Sequence, residues 1–328
     1  MKRRRLLAAL AALGACIPYA RAQREGKVWR VGFLSARTVT SLNSDPIFHT
    51  FLPAMRELGY MEGRNLVVEL RYAEGDPQRL SELASQLAKS RVDVIVATGA
   101  TAIRAAQKAT STIPIVMGTV GDPVGAGFVK SLSRPGGNIT GLTDVATDMG
   151  FKLLDVLLSV VAGLDSVAVL HNPANPSHPA YLASVQEGAG SRGVRVVPLA
   201  AGSAGEIEAA FGAMAKEKVR GLVFLPDPVF NNRPQQIATL AAAQRLPCVS
   251  GYSRYVHAGG LMNYGPDFSD NIRRAAAYVD RILKGANPAE LPVEQSARFT
   301  LAINLTAAKT LGLTIPQSLL IRADEVIQ

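Results

Sequence analysis

The chain has 328 residues, 48% of them hydrophobic and 19% charged, which supports a large buried core and excludes extensive disorder. Its net charge is +9, yet beyond a basic N-terminal run no Lys/Arg cluster with interleaved aromatic residues remains, so nucleic acid is excluded as a partner. Length alone suggests about two domains.

The chain opens with "MKRRR", an apolar run over 6–17, and "ARA" (Ala20 to Ala22), the three parts of an export signal. The apolar run is shorter than the about 20 residues that span a bilayer. Cleavage after residue 22 removes Lys2, Arg3, Arg4, Arg5 and Arg21 and no acid, lowering the net charge from +9 to +4. A periplasmic location follows, by the general or the twin-arginine route. "LGAC" (Leu13 to Cys16) offers a second processing option that would leave Cys16 acylated and the protein lipid-anchored. The other cysteine, Cys248, then stands alone, which rules out an intrachain disulfide and reads as a buried strand residue.

Short apolar runs next alternate with helical stretches. "VWRVGFL" (28–34), "NLVVELRY" (65–72), "VDVIVAT" (92–98) and "IPIVMG" (113–118) are strands, continuous in apolar character as buried parallel strands are. Between them lie "DPIFHTFLPAMRELG", "DPQRLSELASQLAKS" and "GATAIRAAQKATS"; the second starts on Asp-Pro and lines Leu80, Leu83, Ala84 and Leu87 along one face. After about residue 144 the alternation restarts with "VAVLHN" (167–172), "GVRVVPL" (193–199), "RGLVFL" (220–225) and "LPCVSG" (246–251). The expected fold class is α/β, two doubly wound parallel-sheet lobes.

The stretches from Val92 and from Val219 share one plan: apolar strand, polar loop, Ala-rich helix, then Pro opening a strand that ends in Gly. Loops 98–101 and 226–232 thus occupy equivalent positions at strand carboxyl ends, where such sheets bind ligands. A further strand (259–265), a long helix (266–285) and a last strand (297–305) exceed what a second lobe needs, so the chain crosses between lobes several times and makes a hinge. The expected allotment is residues 28–143 plus 252–285 in the N-terminal lobe, and 144–251 plus 286–328 in the C-terminal lobe.

"GDPVGAGFVKSLSRPGGNITGLT" (121–143), "YGPDF" (264–268), "LPVEQ" (291–295) and "INLTAAKTLGLTIPQSLLIRADEVI" (303–327) resemble the substrate-binding proteins of ABC uptake transporters with the type I periplasmic-binding fold. The similarity runs from about Val28 to Ile327. It implies a monomer that closes on a small-molecule ligand without a cofactor and docks on an ABC permease and its ATPase, its membrane contact being the permease or a lipid on Cys16. Some members of that family bind aromatic amino acids such as tryptophan, so the resemblance implies an amino acid as cargo.

An α-ammonium withdrawn from water needs a fixed carboxylate. Asp227, held between Pro226 and Pro228 at a strand end, fits that need; the alternative is a helix cap. A ligand carboxylate needs donors, which Thr98, Thr101 and the N–H groups of the helix they open would supply. Thr119 and Asp122, Ser35, and Asn172 with Ser177 lie at other strand ends, where capping and turn chemistry are the alternatives. Phe230, Tyr252 and Tyr264 are candidates to grip an apolar ligand body. His171 and His178 frame a Pro/Asn loop and make a weak metal case. No G-x-S-x-G, P-loop or H-E-x-x-H motif supports an exported α/β enzyme. A sensor of the same fold would have to dock on a separate membrane receptor.

Overall fold

The computed structural model describes residues 27–38 and 47–328; the export signal and Cys16 lie outside them. The first half supplies β1 (Trp29–Ser35), α1 (Leu52–Glu57), β2 (Leu66–Tyr72), α2 (Pro77–Lys89), β3 (Val94–Thr98), α3 (Ala100–Ala109), β4 (Ile115–Thr119) and β5 (Ile139–Thr143). The second supplies α4 (Ala146–Val160), β6 (Ser166–His171), α5 (His178–Gly190), β7 (Arg195–Ala200), α6 (Ala204–Glu217), β8 (Gly221–Phe224), α7 (Pro228–Asn231), α8 (Pro234–Ala243) and β9 (Cys248–Ser250). There follow α9 (Arg254–His257), β10 (Met262–Pro266), α10 (Phe268–Leu283), β11 (Glu294–Gln295), β12 (Phe299–Asn304), α11 (Leu305–Leu311), α12 (Gln317–Leu320) and β13 (Glu325–Ile327).

Local signals set several of these elements. Asp76 caps α2 by accepting from Gln78 N (2.8 Å) and Arg79 N (3.2 Å), and Pro77 fills the first helical position, where no N–H is needed. Along β3 the side chains alternate between two cores: Ile95 and Ala97 pack with α2 and α3, Val94 and Val96 with α1 and α10. In β8, Leu222 and Phe224 face α6 and α8, whereas Val223 faces the layer of α4 and α5. Both sheets are thus covered by helices on both faces, which is why their strands read as unbroken apolar runs.

The first sheet runs β11-β5-β4-β3-β1-β2 and the second β13-β12-β10-β9-β8-β6-β7. Within them β2-β1-β3-β4-β5 and β7-β6-β8-β9-β10 repeat one order, all parallel, so β3–α3 and β8–α7 are equivalent units. The β10–β12 pair is antiparallel. The chain passes between lobes at 144–145, at 267 and at 296–298, a three-strand hinge.

The pairing corrects the expected allotment in two places. Residues 252–266, expected in the first lobe, belong to the second: α9 packs on α8, β10 and β12, and Met262–Pro266 completes the second sheet beside β9; Glu294–Gln295, expected in the second, closes the first sheet beside β5. A doubly wound order with β9 at its edge leaves that edge's backbone groups free, and the nearest strand in sequence takes them. The α10 segment between them packs on β3, β4 and α1 in the first lobe.

Cys248 is fully buried, its Sγ 3.2 Å from the Leu246 carbonyl, and burial pushes its thiol up to about 12. Because the thiolate is the reactive form, an aromatic disulfide reagent should leave the folded chain unlabelled and titrate one thiol per mature chain only after denaturation. Rapid labelling of the folded protein would contradict this placement.

Candidate functional site

The carboxyl ends of both sheets face one another across a cavity of about 980 Å³ lined by Arg37, Thr98, Gly99 and Thr119 from the first lobe and Pro228, Asn231, Tyr252 and Arg254 from the second. The lobes touch. Thr38 N donates to Asn232 Oδ1 (2.9 Å) and Asn232 Nδ2 donates to the Ala36 carbonyl (3.2 Å), a two-bond latch between segments 194 residues apart or more. A Cβ on Gly121 would lie 2.9 Å from the Tyr181 hydroxyl of the other lobe, so only glycine admits that ring. Each latch bond is worth about 0.5–1.5 kcal/mol. Asn232→Ala should therefore shift the unliganded protein toward an open form, read as a larger radius of gyration by X-ray scattering; an unchanged radius would remove the latch.

On the first lobe, Gly99 (φ +84°) turns the chain from β3 into α3 and no side chain caps that helix. Thr101 Oγ1 and Thr119 Oγ1 are buried without a hydrogen-bond partner beside this bare N-terminus. Thr98 Oγ1 donates to Ser35 Oγ (2.9 Å), which also accepts from Arg37 N (3.2 Å), so this expected pair is tied to itself and steers the chain toward Arg37. Asp122 caps its own turn by accepting from Gly125 N (2.8 Å) and does not line the cavity.

On the second lobe, Asp227 is fully buried and accepts from Val229 N (2.8 Å), Asn175 Nδ2 (2.8 Å) and Asn172 Nδ2 (3.2 and 3.3 Å). Asn172 N donates to His178 Nδ1 (2.8 Å), leaving Nε2 to donate to the Pro226 carbonyl at 3.2 Å. Burial lowers the His178 pKa against the opposing pull of Asp227, and the ring is neutral in this arrangement. Ser177 Oγ and Asn231 Oδ1 are buried without a partner. Asp227 thus stands behind the cavity wall as the hub that fixes Asn172 and Asn175.

Two aromatic expectations are corrected. Phe230 is fully buried in the second lobe's core, edge-on to Phe224 with centroids 6.2 Å apart, because α7 turns it inward under its cap. Tyr264 stacks on Phe299 at 5.7 Å beside a separate pocket of about 170 Å³ at the hinge. Tyr252 does line the large cavity; burial raises its pKa, and nearby Asp227 and Asp144 add to the rise.

Asp144 was missed in the sequence. It occupies the first hinge crossing, 4% exposed, with Oδ2 accepting from Tyr181 Oη at 2.7 Å and Oδ1 without a partner. Burial holds its pKa up at about 6, against the opposing hydrogen bonds from Tyr181 and the backbone. Its signal was the position itself, directly after a strand that ends at Thr143. Among the described residues no group of three or more His, Cys, Asp or Glu is placed to hold a metal.

Two lobes of like topology, a three-crossing hinge and a polar cavity between facing strand ends define a hinged binding protein of the type I periplasmic-binding fold. The chain belongs to the ABC transporter substrate binding protein family, whose pattern matches residues 39–327. It is 25% identical over 264 residues to the tyrosine-binding protein of Clostridioides difficile strain R20291, covering 80% of this chain and 75% of that one. Among solved structures, a conserved domain protein from Vibrio cholerae superposes with a TM-score of 0.85 at 29% identity, over 92% of this chain and 100% of that one. The ABC domain of Streptococcus pneumonia in complex with L-Trp superposes with a TM-score of 0.83 at 25% identity, over 91% and 99%. The protein is a solute-binding component of an ABC transporter, and its family and fold serve transport outside the cytoplasm, with a small molecule and a permease as partners.

Proposed function

We propose that the cavity binds an amino acid and delivers it, as an exported monomer, to an ABC permease that reads lobe closure as occupancy. The observation that carries this reading is a set of buried polar atoms without partners: Thr119 Oγ1 and Asn231 Oδ1 on the cavity wall, Thr101 Oγ1 and Ser177 Oγ behind it, and Asp144 Oδ1 in the small hinge pocket, near enough to the cavity-lining Tyr252 to raise its pKa. Buried polar groups almost always find a hydrogen-bond partner, so such a set calls for a ligand. Its chemistry suits a zwitterion. The hydroxyls of Thr101 and Thr119 and the uncapped N–H groups of α3 donate to a carboxylate, while Asp144 Oδ1 and Asn231 Oδ1 accept from an ammonium. Asp227 acts here through the Asn172 and Asn175 side chains it anchors. Tyr252, on the cavity wall, offers a ring face to the body of the ligand. The names of the tyrosine-binding relative and of the L-Trp complex support the same ligand class.

Thermal unfolding with an amino-acid panel tests the proposal. A ligand at a hundred times its Kd adds about 2.7 kcal/mol, which at about 2–4 °C per kcal/mol raises Tm by roughly 5–10 °C. A panel of the twenty common L-amino acids that produced no shift would refute it. Localisation is checked by fractionation, with the mature chain expected to begin at Gln23.

A further inference from the structure

The cavity holds two arginines that have no ion-pair partner among the described residues. Arg37 follows β1 on the first lobe and Arg254 opens α9 on the second, and both line the cavity. The Arg37 guanidinium sits over the Phe268 ring, Cζ 4.9 Å from the centroid, and its Nε is buried without a hydrogen-bond partner. Burial lowers the Arg254 pKa, and Arg37 lowers it further, as two cations sharing one space do.

The carboxylates on the same wall are committed elsewhere. Asp267 accepts from Ser269 N (2.9 Å) and Asp270 N (3.1 Å) and lies 3.4 Å from Arg298 Nε. Asp324 accepts from Leu301 N (2.9 Å), and Glu325 lies 3.3 Å from His257 Nε2. No carboxylate of this wall pairs with either arginine, so an anion held between the two lobes would offset the positive charge that they bring to one cavity. Guanidinium forks match carboxylates bidentately, and this one is already oriented by its stack on Phe268. Because the arginines stand on opposite lobes, an anion held by both binds the closed form better than the open one, which is what drives closure.

We propose that Arg37 and Arg254 clamp a carboxylate of the solute beyond its α-carboxylate, so that the cargo is an acidic amino acid or a near analogue with a second acid group. This rests on the amino-acid reading of the same cavity and names the far end of that ligand.

The test is titration calorimetry on the full mature chain with L-glutamate and L-2-aminoadipate, with their neutral counterpart L-glutamine, with L-tyrosine and L-tryptophan, and with glutarate, which lacks the amino group. The acidic amino acids should bind at least tenfold more tightly than the neutral ones, and Arg37→Gln and Arg254→Gln should each bring that ratio close to one. Arg254→Lys, which keeps the charge but loses the fork, should give an intermediate ratio, and each variant is first shown to melt cooperatively. Neutral amino acids binding as tightly as acidic ones, with the ratio unmoved in the variants, would overturn the clamp and leave the amino-acid reading standing. Glutarate binding as tightly as glutamate, and weakened by the same substitutions, would keep the clamp and refute the amino-acid reading. Binding of none of the probes would count against both.

Discussion

Asp227→Ala should destabilise the unliganded protein by about 3–5 kcal/mol, because it strips a buried hub rather than a surface charge. Asn172 Nδ2, Asn175 Nδ2 and Val229 N would all lose their acceptor inside the second lobe, where the Asp227 side chain has no exposure. Each orphaned buried donor costs about 1–3 kcal/mol. At about 2–4 °C per kcal/mol the melting temperature should fall by roughly 10 °C. Asp227→Asn keeps the volume and one capping oxygen and should lose less than half as much. If Asp227→Ala melted within about 1 °C of the parent, the hub would carry no stability and the residue would be free for direct ligand contact.

The second large effect concerns Asp144. Removing one member of a buried, hydrogen-bonded charge pair costs about 2–5 kcal/mol, so Asp144→Asn should weaken amino-acid binding roughly thirty- to several-thousandfold while leaving the fold intact. The effect also has a pH signature. Burial raises the Asp144 pKa from the ordinary carboxyl value of 3.8 to about 6, so between those two pH values the unliganded folded protein holds a proton that the unfolded chain has released. That group's contribution to stability is therefore fully present below about pH 4 and is lost as pH rises through about 6. Ligand affinity runs the other way, since only the ionised carboxyl attracts an ammonium, and it should decline as pH falls below about 6. Asp144→Asn should abolish that decline. A variant with parental affinity and the parental pH profile would place the ammonium elsewhere.

Much of the architecture could be read because both sheets are sandwiched. Runs such as Val94–Thr98 and Gly221–Phe224 are apolar on both faces and stand out from their surroundings. The duplicated plan gave the cleft, since matching units must present their loops at matching strand ends. Sheet membership of β10 and β11 was not legible. It depends on pairing between distant segments, and a two-residue strand carries no pattern of its own.

The site was read less well, for a related reason. β5, Ile139–Thr143, contains Gly141 and two threonines and escaped notice as a strand, and with it went Asp144 at its end. Thr119 and Tyr252 were legible by position and do line the cavity. Phe230 was misplaced because a four-residue helix shows no periodicity from which to tell inside from outside. Partners such as Thr38 and Asn232 meet only across the lobes, and nothing local in the sequence marks them.

The central claim is that one solute is gripped between the lobes at the ends of α3 and β5. A crystal structure of the mature protein grown with the tightest-binding amino acid of the panel tests it most directly. One molecule per chain is expected, its carboxylate against Thr101 and Thr119 and its ammonium within hydrogen-bond reach of Asp144. Ligand density outside the inter-lobe cavity, or a bound amino acid touching residues of a single lobe, would contradict it.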